Sequence, residues 1–276
     1  MEKNIKLVMS DIDGTILDDK HVVDSNLKES LKLLKDQDVP FVLASARSPR
    51  GMYPIVEELE ITDNPIACYN GALVLKNAKL DDYTPILSHE LNKDEVRILI
   101  DITKHEFPHL SINLYSGRDW YVDKYDKWAK IEASITNEQP IVKNLQLLML
   151  QTVLPLHKLL LIGSPEEIVL LQKYWPNLQL KTSSFYLSKE NYLEVTHCDV
   201  SKEKALMELT DYYKVPLEKT MTIGDNFNDI PMLSLAGIGI SMANAPEEVQ
   251  KSADVKIRGN NENGVSEALK KYVINV

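Results

Sequence analysis

Short apolar runs that stop abruptly at small polar residues recur at both ends of this chain, separated by stretches of helical period. Residues 5–9 form the first run and end at Ser10-Asp11, which predicts a buried strand. Leu27, Leu31 and Leu34 follow at helical spacing with charges between them. A second apolar run covers residues 39–44, residues 51–60 have a helical pattern, and residues 65–69 form a third run that Asn70-Gly71 turns into residues 72–75. Strand, helix, strand, helix, strand predicts a parallel sheet wrapped by helices. The C-terminal part repeats this order. It has helices over 201–213, 230–235 and 247–252, and strands over 220–223, 237–242 and 254–257.

The middle of the chain has another rhythm, richer in Tyr and Trp. Residues 110–115 and 120–123 predict a hairpin across Ser116-Gly117-Arg118, and residues 159–162 a strand. Ser164-Pro165, with Glu166 and Glu167 in the first turn, starts a helix that runs to Tyr174. Residues 178–180 and 192–196 add β character. The expected organisation is an α/β core, residues 1–82 and 193–276, with an α+β domain inserted at residues 83–192.

Length suits this division, since 276 residues are long for one core and comfortable for two. A formal net charge of −10 opposes binding to nucleic acid or an anionic membrane, so neither is an expected partner. Any site for a small anion must be locally positive. Two cysteines, Cys68 and Cys198, are too few for a disulfide framework, which predicts a reducing, cytoplasmic setting. The polar start, Met1-Glu2-Lys3-Asn4, and the short run after it do not predict a signal peptide or a membrane span. The six histidines show no paired metal-ligand spacing and are expected to be scattered surface or packing residues.

Four segments carry candidate chemistry, each just after a predicted strand or at a helix start, where open parallel sheets bind ligands. In Asp11-Ile12-Asp13-Gly14-Thr15 the two carboxylates lie two residues apart and face one way on extended chain. Two close carboxylates repel, and a hard cation such as Mg²⁺ relieves them. One can then serve as nucleophile and the other as general acid and base. An Asp-Gly turn explains the segment equally well. Ala44-Ser45-Ala46-Arg47 offers a hydroxyl and backbone N–H groups to a phosphate, although a helix N-cap Ser is the favoured reading in isolation. Ser201-Lys202 sets a cation at a helix start, against the dipole, which an anionic partner would explain; alone, a solvated lysine is favoured. The stretch from Gly224 to Leu233 packs Asp225, Asn226, Asn228 and Asp229 between a strand and a helix, more oxygen ligands than a plain loop needs.

Taken in order, these segments resemble the haloacid dehalogenase superfamily of phosphohydrolases. The closer likeness is to its Cof-type sugar-phosphatase branch, over the whole chain. The resemblance implies a Rossmann-like parallel-sheet core with an inserted α+β cap that sets specificity, and a Mg²⁺-dependent phosphatase acting on small phosphate monoesters. Asp11 would be the nucleophile, forming an aspartyl-phosphate, and Asp13 the acid and base. Asp11, the Asp13 backbone carbonyl and Asp225 would hold Mg²⁺, with Asp229 or Asn228 steering bound water. Ser45, the backbone of Ile12 and Ala46, Lys202 and Asn228 would hold phosphate, with Arg47 as helper. Asn70-Gly71 matches a family segment near the cap hinge, and a hairpin turn explains it as well. Tyr115, Arg118, Trp120 and Tyr121 on the predicted hairpin are candidate substrate contacts. The sequence departs from the family where Ala46, Glu203 and Ala243 stand in place of Gly. The expected partner is a small phosphorylated metabolite, and the expected state a monomer or weak homodimer. Phosphomutase chemistry and a non-catalytic phospho-ligand sensor are the alternatives.

Overall fold

A computed structural model describes residues 4–151 and 153–274. The polar start at residues 1–3 lies outside the described residues. The chain divides into two units. One gathers the residues up to 47, 52–87 and those from 201 onward; the other holds 48–51 and 88–200.

In the first unit the apolar runs become β1 (Leu7–Ser10), β2 (Phe41–Ala44), β3 (Ile66–Cys68), β4 (Leu73–Leu75) and β5 (Pro85–Ser88). Between them lie α1 (Leu27–Asp36), which buries Leu27, Leu31 and Leu34, and α2 (Pro49–Glu58). The second unit follows with α3 (Lys93–Glu106), β6 (Ser111–Ser116), β7 (Asp119–Val122), α4 (Lys127–Thr136), β8 (Ile141–Val142) and α5 (Leu145–Leu148). It closes with β9 (Lys158–Ile162), α6 (Pro165–Tyr174), β10 (Ser183–Lys189) and β11 (Tyr192–His197). The chain then returns through α7 (Lys202–Tyr213), β12 (Thr220–Gly224), α8 (Ile230–Leu235) and β13 (Ile238–Ser241). Its last elements are α9 (Glu247–Ser252), β14 (Val255–Lys256) and α10 (Gly264–Tyr272).

The first sheet runs β14-β13-β12-β1-β2-β3-β4-β5. From β14 to β3 the neighbours are parallel, and β4 turns back antiparallel on β3 across Asn70-Gly71. Its central strands are buried along their whole length, as strands covered on both faces must be. On one face Leu7, Met9, Val42 and Ala67 pack with Leu206 and Leu209 of α7 and Met232 of α8. This order puts β1 between β12 and β2, so three of the four candidate segments leave neighbouring parallel strands at the same edge.

The second unit is a six-stranded sheet in the order β10-β11-β9-β6-β7-β8, antiparallel apart from the β7–β8 pair. Ile112, Leu114, Leu159, Leu161, Leu193 and Val195 alternate onto one face and pack with Leu99 of α3 and Ile168 of α6. The alternate positions carry polar and aromatic groups. Tyr115 stacks on Trp120 at 5.8 Å, and the Lys158 ammonium lies 4.8 Å from the Tyr115 ring centre. Lys158 also pairs with buried Glu194 at 3.3 Å.

The β character expected at 178–180 is not found. Trp175–Leu178 is a 3₁₀ turn and Gln179 is left-handed at φ +51°. Pro176 lacks the N–H a ladder needs, and Leu178 goes into the core instead. The division after β11 comes at Val200/Ser201 rather than at 192/193, because the whole of β11 pairs with β9 and β10. Among the described residues no helix is long and apolar enough to cross a membrane.

Candidate active site

β1 delivers Asp11 to the C-terminal edge of the sheet, where its N–H donates to the Ile223 carbonyl of β12 at 2.9 Å. The chain then turns tightly. The Ile12 carbonyl accepts from the N–H groups of Thr15, Ile16 and Leu17, and the Ile12 side chain is wholly buried. The Asp-Gly turn is therefore real, and it is part of the site. Gly14 sits at φ +81°, and a Cβ there would lie 2.3 Å from Asp225 Oδ2. Only glycine permits both the turn and the close approach of the second acidic loop. Gly14→Ala is expected to displace Asp225 and weaken Mg²⁺ binding at least about tenfold. Calorimetric titration with Mg²⁺ checks this, and unchanged affinity would contradict it.

β12 ends at Gly224 and presents Asp225 and Asp229. Thr15 Oγ1 donates to Asp225 Oδ1 at 2.8 Å. Asp229, fully buried, accepts from the backbone N–H groups of Asp225 and Asn226 at 3.0 Å through Oδ2. Its Oδ1 accepts from Lys202 Nζ at 2.7 Å, and the same ammonium pairs with Asp11. Lys202 stands in the first turn of α7, whose N-cap is Ser201, and is 1% exposed. The solvated lysine favoured by sequence alone is thus excluded: the helix start places the ammonium inside, between two carboxylates.

Burial drives the electrostatics. It raises Asp11 well above the usual carboxylate range, against the opposing pull of Lys202, and the charges of Asp229 and Asp225 add to the rise. Asp225 is pushed up to about 6, by burial first and then by Asp229, against the hydrogen bond from Thr15. Burial pulls Lys202 down, but Asp11 and Asp229 outweigh it, so it stays an ammonium. The carboxylate oxygens of Asp11, Asp225 and Asp229 lie within 4.8 Å of one another. Once all three are ionised, they leave two negative charges against the one ammonium in a largely dry place. An all-oxygen donor set with that excess fits a hard divalent cation, and Mg²⁺ above all.

This has a pH signature. Asp225 holds its proton to about 6 when folded, against 3.8 ordinarily. The folded chain therefore binds the extra proton between about pH 4 and 6, and without metal its stability falls as pH rises through that window. Mg²⁺ needs ionised carboxylates, so its stabilisation grows over the same window. Melting curves at pH 4.5 and 7 should show a Mg²⁺-induced shift that is small at the first and large at the second. Equal shifts would contradict the scheme.

Ser45 is buried after β2, and its hydroxyl accepts from the Arg47 N–H at 3.2 Å. It does not cap α2. That task falls to Ser48, whose hydroxyl accepts from the Gly51 N–H at 3.0 Å. Arg47 reaches Asp13 with two bonds, Nε to Oδ2 at 2.8 Å and a terminal nitrogen to Oδ1 at 2.5 Å. Asn70 donates its N–H to the Ser45 carbonyl at 2.8 Å and accepts from Asn228 Nδ2 at 3.3 Å. Tyr69, Asn70 and Gly71 are all left-handed, at φ +54°, +57° and +102°. Backbone strain of this kind is held only where surroundings fix it, and it collects at functional sites.

The first unit therefore brings Asp11, Asp225, Asp229 and Lys202 into one cluster, links Ser45 to Asn228 through Asn70, and pairs Arg47 with Asp13. Tyr115 and Arg118 belong to the second unit. Tyr115 is 3% exposed between Trp120 and Lys158, and the Arg118 carbonyl accepts from Arg50 Nε at 2.8 Å. Thr15 and Asn244, whose Nδ2 donates to the Gly14 carbonyl at 2.9 Å, had no role in the sequence reading. A buried Thr closing the acidic motif was the available signal for the first; nothing local marked the second.

Known proteins resemble this chain in sequence and fold. The sequence pattern of the haloacid dehalogenase-like hydrolases matches residues 8–269. A putative phosphatase of Haemophilus influenzae is 35% identical over 268 residues, 95% of each chain. The 5-amino-6-(5-phospho-D-ribitylamino)uracil phosphatase YitU of Bacillus subtilis is 26% identical over 99% of each. A crystal structure of a haloacid dehalogenase-like hydrolase from Bacteroides thetaiotaomicron superposes with a TM-score of 0.86 at 28% identity, covering 97% of this chain and 99% of that one. With its acidic cluster at the ends of β1 and β12 and a second sheet inserted between β5 and β12 of the first, the chain belongs to the haloacid dehalogenase superfamily, as a phosphohydrolase of the Cof type.

Proposed function

We propose that the protein hydrolyses small phosphate monoesters, sugar phosphates or kindred phosphometabolites, by way of a phosphoryl group carried on Asp11. The observation that carries this reading is the convergence of Asp11, Asp225, Asp229 and buried Lys202 at one edge of the sheet. An Asp11 oxygen attacks phosphorus and the ester P–O bond breaks, while Asp13 gives its proton to the departing alcohol. Asp13 then takes a proton from water, whose oxygen attacks phosphorus, and the aspartyl O–P bond breaks to free phosphate and Asp11. Lys202, Asn228, Ser45 and the backbone N–H groups of Ile12 and Ala46 hold the phosphoryl oxygens, and Arg47 positions Asp13. Mg²⁺, held by Asp11, Asp225 and the Asp13 carbonyl, with Asp229 fixing the loop, would supply charge neutralisation for the phosphoryl group. Residues 88–200 select among esters. Neither Cys68 nor Cys198 is in a disulfide, which fits a reducing, cytoplasmic setting.

The two roles given to Asp13 separate with p-nitrophenyl phosphate, whose leaving group departs without a proton. Asp13→Asn should release p-nitrophenol in a burst matching the enzyme concentration and then stall, with one phosphoryl group added to the protein in the mass spectrum. Steady turnover equal to the parent would sink the assignment. A panel of phosphate esters, with and without Mg²⁺, identifies the substrate class.

A further inference from the structure

Five of the six histidines lie in the second unit, and two of them, His89 and His197, stand at the segments where the chain comes into it and leaves it. His89 follows β5, His157 precedes β9, and His197 ends β11. His157 is buried with both ring nitrogens engaged, Nδ1 by the Gly117 N–H and Nε2 by the Ser88 hydroxyl, each at 3.0 Å. It is a packing residue, as the sequence suggests. His89 and His197 are different. Their ring centres are 6.4 Å apart, both rings are only partly buried, and His197 is followed by Cys198 and Asp199.

His197 begins a tight turn in which the Val200 N–H donates to its carbonyl at 3.0 Å. The turn is fixed from outside by the Cys198 N–H, which donates to the Thr182 carbonyl at 2.7 Å, and from inside by the Asp199 N–H, which donates to His197 Nδ1 at 3.1 Å. A ligand atom from each of His197, Cys198 and Asp199 lies within 4.8 Å of the other two. Imidazole, thiol and carboxylate converge on a held backbone, with a second imidazole, that of His89, beside the His197 ring.

We propose that His89, His197, Cys198 and Asp199 form a site for a borderline-soft divalent transition-metal ion, Zn²⁺ or one of like preference. Nitrogen and sulfur donors distinguish it from the all-oxygen cluster at Asp11, Asp225 and Asp229. Metal–nitrogen bonds of about 2.0–2.1 Å let one ion reach both imidazoles after a small closing of the rings. Binding takes the Cys198 thiol proton and replaces the Asp199 N–H at the imidazole; the released proton goes to solvent. The ion fastens the incoming segment at His89 to the outgoing one at His197–Asp199.

Co²⁺ is the probe, because a thiolate bound to it gives a near-ultraviolet charge-transfer absorption that oxygen ligands do not. Full-length protein, reduced and in excess Mg²⁺ to fill the carboxylate cluster, is titrated with Co²⁺ and then with Zn²⁺. The expected result is a thiolate band that saturates at one equivalent and is displaced by Zn²⁺. Cys198→Ser should abolish it, since Cys68 is buried elsewhere. His197→Ala and His89→Ala should each weaken Co²⁺ binding by about tenfold or more. Far-ultraviolet circular dichroism confirms that each variant is folded. No thiolate band with parent protein overturns the site. A band lost in Cys198→Ser but with unchanged affinity in both His variants also overturns it, since a lone thiol would then hold the metal.

Discussion

Asp11→Asn is expected to lower turnover of p-nitrophenyl phosphate by more than about 10⁴-fold while leaving the fold intact. The size follows from the proposed role: removing a nucleophile removes the covalent route itself, and what remains is binding and electrostatics. The retained fold follows from the surroundings. Burial and two neighbouring carboxylates already work against the charge on Asp11, so an amide of the same shape relieves repulsion. Lys202 keeps its bond to Asp229. The melting temperature without metal should therefore hold or rise as activity disappears. Parent-level turnover in this variant would remove Asp11 from the chemistry, and a collapsed fold would show that the repulsion had been misjudged.

Lys202→Met should act on stability as well as on rate. A 1% exposed ammonium bonded to two buried carboxylates is removed without its partners, and breaking a buried pair in this way costs about 3–5 kcal/mol. Activity should fall by about 10³-fold or more through loss of a fixed positive group at the phosphoryl site. Adding Asp229→Asn should recover part of the stability and none of the activity, because the charge left unpaired goes with it. Urea denaturation of the two variants measures the difference. A Lys202→Met protein as stable as its parent would mean that the ammonium does not hold the cluster together.

Much of the core was legible because its strands are apolar runs cut off by Ser, Gly or Asp, and the candidate acidic residues stand at those same breaks. β1 ending at Ser10-Asp11 and β12 ending at Gly224-Asp225 are the clear cases. Lys202 was legible only through the family resemblance and not from its own surroundings in sequence. Its burial depends on Asp11, 191 positions away, and no local pattern separates it from a solvated lysine such as Lys204 suggests. Ser45 was obscured for a related reason: the cap it resembled lies three residues on, at Ser48, and one hydroxyl looks like another in sequence. In the second unit β10 escaped notice because it is an edge strand, mostly exposed, with little alternation in Ser-Ser-Phe-Tyr-Leu-Ser-Lys. The error at residues 178–180 is the converse, apolar residues that fill a core from a turn.

The place of β1 between β2 and β12 bears on how the protein comes into being. A ribosome releases residues 7–10 long before residues 220–224, yet the two strands are neighbours. Until the later segment emerges, one flank of the central strand has its N–H and C=O groups open to any passing strand. On the proposed mechanism the nascent polypeptide is silent until Lys202, Asp225 and Asp229 have all emerged to meet Asp11. Closure of the β1–β12 pair is then the step that both seals the vulnerable flank and assembles the acidic cluster.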